Sequence, residues 1–232
     1  MTGMMSRAYA LFSYALFLIS IVWAIGFLAG WGDGPASSSP TTALLIDGTL
    51  LLAFAVQHTV MARAGFKRRI PPTIERSTYV LAASLLLLAT FAFWQPVPTV
   101  VWLAGAPWSI LIWVVYALGW ALAIGATYMI DHFEFFGLKP AGNPQFQMRF
   151  LYAWIRHPMM LGLLIVFWAT PRMTVSHLFF AVASSAYIFV GVRFEERDLK
   201  AQLGTPYEEY ARDTPMLIPL GSRGRAARAG RP

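Results

Sequence analysis

Arg156-His157-Pro158-Met159-Met160-Leu161-Gly162 decides how the chain is to be read, because it joins a polar, aromatic segment to an apolar hairpin ending at Glu195-Glu196. The proline biases His157 away from helical geometry and can open a helix as its first residue. Such a helix start turns backbone N–H groups and a partial positive charge outward, able to meet a carboxylate, with Arg156 as a second anchor. An ordinary start to a membrane helix with an interfacial arginine would carry the same residues.

Beyond that stretch, Met159 to Ala169 is apolar but covers only about half a bilayer crossing. Thr170-Pro171-Arg172 predicts a turn, and Val175 to Val192 a fuller returning helix. Both ends of such a hairpin return to one interface, which brings Arg156-His157 and Arg193–Glu196 to the same depth. Phe194 to Leu203 should continue as helix, Gly204 should end it, and Thr205-Pro206-Tyr207 can start a short one. Pro215 to Pro219 closes the ordered part, and the arginine-rich stretch 221–232 reads as a disordered basic tail.

Upstream lies the membrane scaffold. Of the 232 residues 57% are hydrophobic and 12% charged, with a mean hydropathy of +0.56. That excludes an ordinary soluble domain. The apolar run from Ala8 to Ala29 is long enough to span and is not a cleavable signal. Further spans are expected over about Thr42–Ala62, Ser77–Gln95 and Trp108–Ile130, with loops at Trp31–Pro40 and Pro96–Pro107. The expected fold is all-α. It is a polytopic membrane bundle of about five to six transmembrane segments including the C-terminal hairpin, followed by a cytoplasmic helical segment. Residues 1–220 form one membrane domain, with 1–130 as scaffold and 131–220 carrying the chemistry.

The net charge of +7 is concentrated in Arg63, Lys67, Arg68, Arg69 and Arg76, and in the tail. Basic clusters beside membrane spans signal topology and anionic lipid rather than nucleic acid, and here they put both chain ends in the cytoplasm. The absence of cysteine excludes a disulfide, a thiolate metal site and a thiol nucleophile of the chain's own. No glycine-rich strand–helix loop, phosphate loop, nucleophile elbow or metal-binding quartet is present.

Three polar clusters remain. Arg193, Glu195, Glu196 and Arg197 emerge where the last apolar helix meets water. They read either as a carboxylate site for ligand hydroxyls or a cationic group, or as a helix end laced with weak pairs such as Glu196–Lys200. Asp131-His132-Phe133-Glu134-Phe135-Phe136-Gly137 interleaves ionisable and aromatic side chains at the same interface. It suits a pocket wall or an aromatic anchor, and His132 is the first candidate for a general base. Asp47, Gln57 and His58 lie inside the second span, where polar groups rarely face lipid. His58, near the cytoplasmic end, can line the same cavity; Asp47 suits a helix-packing hydrogen bond, and His177 a structural role.

Arg156-His157-Pro158 with Gly162, the short hairpin, Glu195-Glu196, and Leu203-Gly204 with Tyr207 and Tyr210 before Pro215 resemble the isoprenylcysteine carboxyl methyltransferase superfamily. Its members are membrane enzymes that use S-adenosylmethionine. Within it, four stretches are similar to the bacterial methanethiol S-methyltransferases. They are Gln57-His58-Thr59-Val60-Met61-Ala62-Arg63; Pro71-Pro72 through Glu75-Arg76-Ser77-Thr78-Tyr79; Asp131-His132-Phe133 with Phe136-Gly137-Leu138; and Phe167-Trp168-Ala169-Thr170-Pro171. The resemblance implies methylation of methanethiol to dimethyl sulfide in a membrane-embedded pocket, without metal. Arg156, His157, Pro158, Gly162, Glu195 and Glu196 would hold the cofactor. Met160, where many members carry tyrosine, would offer an apolar wall.

Such a reaction turns a cation and an anion into two neutral molecules, so a water-poor pocket favours the chemical step. The same pocket makes the thiolate harder to form, and His132, Glu134 or His58 could offset that. An uncharged, volatile thiol can also enter from the lipid of a bacterial cytoplasmic membrane. Rival readings are methyl transfer to another small thiol, a lipid amine or a prenylated thiol, or a non-catalytic membrane subunit or carrier.

Overall fold

The computed structural model describes residues 3–139 and 150–218. In chain order its elements are α1 (Gly3–Gly26), α2 (Pro40–Ala62), α3 (Ala64–Lys67), α4 (Glu75–Ala92), β1 (Val100–Leu103), α5 (Trp108–Ile130) and α6 (His132–Phe135). They continue with a 3₁₀ turn at Phe150–Ala153, then α7 (Pro158–Trp168), β2 (Arg172–Thr174), α8 (Val175–Leu203) and α9 (Thr205–Asp213). Among the described residues, four helices are long and apolar enough to cross a membrane: α1 with its π-helical extension, α2, α5 and α8. The protein is an integral membrane bundle. To these four, α4 adds 18 residues and α7 adds 11. The tail at 221–232, and Pro219, lie outside the described residues.

Neighbouring helices run in the order α1–α4–α2–α8–α7–α5. Tyr116 Oη on α5 then donates to Ile25 O at 2.6 Å, bringing the order back to α1. The bundle inverts the pattern of a water-soluble core. Leu11, Leu52, Ile110 and Leu118 point outward, while Ser13, Ser20, Ala43, Ser84, Ala123 and Ala126 are buried. In hydrocarbon, large apolar side chains gain nothing by leaving the surface, and small ones let helices approach. Some buried hydroxyls are satisfied within their own helix, Ser13 donating to Tyr9 O and Thr90 to Leu86 O, each at 2.8 Å. The closest approach is between α5 and α7, where a Cβ on Gly162 would stand 2.6 Å from Ala123 N and 2.7 Å from Gly119 O.

The end bearing the Arg63–Arg76 loop is called here the basic end, and its opposite the far end. At the far end, two readings of the sequence are corrected. The first span does not stop in a plain turn: its last turn widens to a π-helix at Phe27–Trp31, where Gly30 takes φ 114°. The Pro96–Pro107 loop contains a strand, β1, paired antiparallel with β2. Asp33, Ser176 and Asp47 stitch this end together. Asp33 accepts from Thr174 Oγ1 at 2.7 Å and Arg172 Nη1 at 3.3 Å. Ser176 Oγ accepts from Val97 N, and Asp47 Oδ1 from Gln95 N at 2.8 Å. Asp47 thus acts through packing, anchoring the chain just beyond α4.

The hairpin takes the expected form, with α7 as its short arm. Its long arm continues as helix through Phe194 to Leu203, as expected. At about 1.5 Å per residue the 29 residues of α8 outrun a hydrocarbon core of about 30 Å, so the last turns project from the basic end. Gly204, at φ 60°, allows the reversal into α9.

Candidate active site

The turn before α7 and the end of α8 meet at the basic end. Arg156 grips Glu196 with two parallel bonds, Nε to Oε1 at 2.6 Å and Nη2 to Oε2 at 2.8 Å. Its Nη1 donates to Ala211 O and Thr214 O, each at 2.6 Å. Four of the five guanidinium N–H groups are therefore committed. Glu196 Oε1 also accepts from His157 Nε2 at 3.0 Å and from Tyr207 Oη at 3.2 Å. The backbone reinforces the contact, since Arg156 N donates to Pro215 O and His157 N to Met216 O. Arg156 and Glu196 are only 11% and 12% exposed at their side chains. They form a brace joining α7, α8 and the segment after α9.

Glu195 differs from its neighbour. Its side chain is 51% exposed, and His157 Nδ1 stands 3.7 Å from it, beyond hydrogen-bond range. His157, buried, thus stands between the two carboxylates. Tyr152 flanks them: burial, with the charge of Glu195 nearby, pushes its hydroxyl up to about 12. Tyr207 is raised too, by burial first and then by Glu196. Both phenols stay protonated and able to donate. The arrangement offers one carboxylate to a cationic or hydroxyl-bearing ligand and holds everything around it fixed.

The other expected residues fall in different places. Pro158 is fully buried, Met160 packs against the apolar core, and Gly162 sits in the α5–α7 contact. His132 lies in a separate cluster. Its Nδ1 meets Thr127 Oγ1 and its Nε2 meets Tyr14 Oη, each at 2.7 Å, and its ring stacks on Tyr128 at 4.1 Å. Burial pulls its pKa down, against a smaller opposing effect of Asp131. It is neutral near pH 7, with both ring nitrogens engaged. Asp131 caps α6, accepting from Phe133 N and Glu134 N. These bonds, with Lys139, hold its carboxyl low. The Glu134 side chain makes no hydrogen bond among the described residues, and His58 faces a cage of aromatic rings between α2, α4 and α8. His177 is structural, donating from Nε2 to Phe167 O at 3.0 Å. A shallow apolar groove of about 560 Å³ along α2, closed by Phe179, holds no titratable side chain and lies away from this chemistry.

No family model matches the chain, and no solved structure matches it. Curated proteins do. It is 44% identical to a methanethiol S-methyltransferase of Mycobacterium tuberculosis, over 93% of this chain and 96% of that one. It is 45% identical to methanethiol S-methyltransferase 2 of Bradyrhizobium diazoefficiens, over 91% and 88%. A methanethiol S-methyltransferase of a Pseudomonas species is 42% identical over 91% and 88%. The chain belongs to the methanethiol S-methyltransferase family. As a member of that family it is a methyltransferase acting on a thiol, and it draws on a methyl donor.

In this methyltransferase the hairpin argument brings together Arg156, His157, Glu195 and Glu196 but not His132. Sequence reasoning assigned no role to Tyr207, Tyr152, Ala211 or Thr214. Tyr207 and Tyr210, three residues apart before Pro215, are the one local signal that α9 turns an aromatic face inward; both are buried. The carbonyls that complete the Arg156 brace carry no side-chain signature.

Proposed function

We propose that the protein transfers a methyl group from S-adenosylmethionine to methanethiol, yielding dimethyl sulfide, in a pocket at the basic end of the bundle. The observation that carries this reading is 44% identity over 93% of the chain to a methanethiol S-methyltransferase. The local chemistry suits the cofactor, which presents a sulfonium, an ammonium and two ribose hydroxyls. Glu195 is a half-exposed carboxylate able to take the ammonium or the hydroxyls, and His157 beside it can turn Nδ1 to the same ligand. Arg156 and Glu196 are committed to each other, so their part is to hold His157 and Glu195 in place. Pro158 starts α7 at that point, Gly162 lets α7 approach α5, and Met160 contributes an apolar wall.

S-adenosylmethionine, when bound, supplies an electrophilic methyl group whose transfer discharges the sulfonium. The protein aligns donor and acceptor, excludes water and accepts the thiol proton. Positive-inside counting supports a site at the cytoplasmic face with both chain ends on that side, and the membrane is read as bacterial from the family likeness.

The test is to incubate purified protein in lipid nanodiscs with methyl-labelled S-adenosylmethionine and methanethiol, and to follow label into headspace dimethyl sulfide. Label in the volatile product is expected. Label appearing only with a lipid amine or a prenylated thiol would replace the acceptor. No cofactor binding and no transfer to any acceptor would leave a non-catalytic subunit or carrier.

A further inference from the structure

Helix packing does not account for the surroundings of His58. It lies one turn from the basic end of α2, and three rings enclose it. Phe54 stands at 5.3 Å between centroids, Tyr79 of α4 at 4.9 Å and Tyr187 of α8 at 6.2 Å. Its Nδ1 is buried without a hydrogen-bond partner among the described residues, and so is Oε1 of the adjacent Gln57. Buried polar atoms are seldom left bare. Tyr187 Oη, on the cage wall, pairs instead with Thr59 Oγ1 at 3.3 Å. Tyr79, on the wall of the cage, also stands close enough to feel the charge of Glu195. Tyr187 is eight residues before Glu195 on α8, roughly 12 Å deeper along the axis.

We infer that this cage is the acceptor site: it takes a small neutral thiol whose S–H donates to His58 Nδ1 and whose methyl group lies against Phe54, Tyr79 and Tyr187. The inference rests on the methyl-transfer reading above. Aromatic rings make favourable contacts with sulfur, and a cage of this kind, bounded by three helices, favours a short alkyl chain. With its proton on Nε2, a neutral imidazole holds a lone pair on Nδ1. As the acceptor sulfur forms its new bond to the incoming methyl carbon, the old carbon–sulfonium bond breaks and its electrons remain on the departing sulfur. The thiol proton passes to Nδ1, leaving an imidazolium that later loses the proton to water. His132 cannot take that part as it stands, because Thr127 and Tyr14 occupy both its nitrogens. The ionisable groups facing His58 are Tyr79 and Tyr187, with Glu195 and Arg76 beyond Tyr79.

His58→Gln and Phe54→Ala, purified in nanodiscs, test this. Rates are read with methanethiol and with the more acidic 2,2,2-trifluoroethanethiol across pH, and S-adenosylmethionine affinity by equilibrium dialysis. His58→Gln is expected to lower kcat for methanethiol by about 10²–10⁴-fold, as loss of a general base does, with cofactor affinity unchanged. At least about tenfold of that loss should return with the acidic thiol or at high pH, where ionisation needs less help. Phe54→Ala should raise KM for methanethiol by about tenfold and admit propanethiol. An equal loss with both thiols and no recovery at high pH would overturn the assignment, as would weakened cofactor binding in His58→Gln. An unchanged thiol KM in Phe54→Ala would do so independently. If the unaltered protein methylates no thiol, the methyl-transfer reading itself fails, and the acceptor site with it.

Discussion

At the far end of the bundle Asp33 reaches Thr174 and Arg172, Asp47 reaches Gln95, and Ser176 reaches Val97. At the basic end Glu196 takes Arg156, His157 and Tyr207. Both clusters join segments distant in sequence through a buried carboxylate. They differ in what is left over. Among the described residues, the far cluster leaves Asp47 Oδ2 buried without a hydrogen-bond partner, while its exposed charge, Arg172, is already paired. The basic cluster leaves Glu195 half exposed and, deeper, His58 Nδ1 without a hydrogen-bond partner among the described residues. The far end ties down its exposed charge, and the basic end leaves a carboxylate half exposed.

The sharpest way to break that contrast is Glu196→Ala. It strands a nearly buried guanidinium, which costs about 3–5 kcal/mol for such a pair. A large drop in the thermal midpoint, followed by tryptophan fluorescence, is expected together with loss of methyl transfer. Asp33→Ala should cost about 1–3 kcal/mol through lost hydrogen bonds yet leave S-adenosylmethionine affinity unchanged; a changed affinity would mean the two ends are not separate in function. Gly162→Ala forces a methyl against Ala123 and Gly119 and should cost about 1–3 kcal/mol, seen in the same melts. Glu195→Gln should do the reverse of Asp33→Ala, leaving the midpoint alone while weakening cofactor binding about tenfold, the scale of one lost charged hydrogen bond.

The smallest effect expected is from pH. Burial holds the folded His132 pKa below the ordinary 6.5. The unfolded chain therefore takes up that proton first as pH falls, and stability declines below about 6.5. His132→Gln should flatten this slope in melts run between pH 7 and pH 5.

Where local pattern was enough, the helices were legible. α5 runs from Trp108 to Ile130 as read, because Pro107 and Asp131 punctuate an unbroken apolar run. The hairpin also gave the pairing of Arg156-His157 with Glu195-Glu196, since a short arm and a longer return fix which ends meet. What escaped depends on partners far along the chain. β1 and β2 pair across about seventy residues with no alternating pattern to announce them, and His132 meets a tyrosine 118 positions away. No spacing rule reaches that distance. The division of labour between Glu195 and Glu196 was equally hidden, because adjacent residues on a helix differ only in which neighbour they face.

One contact bears on how the enzyme comes into being during synthesis. Arg156 leans on the carbonyls of Ala211 and Thr214, and the strand of backbone at Pro215-Met216 bonds across the turn. Every membrane segment will have left the ribosome before those residues do. A polypeptide truncated after α8 would keep every membrane segment yet lack the carbonyls that complete the Arg156 brace.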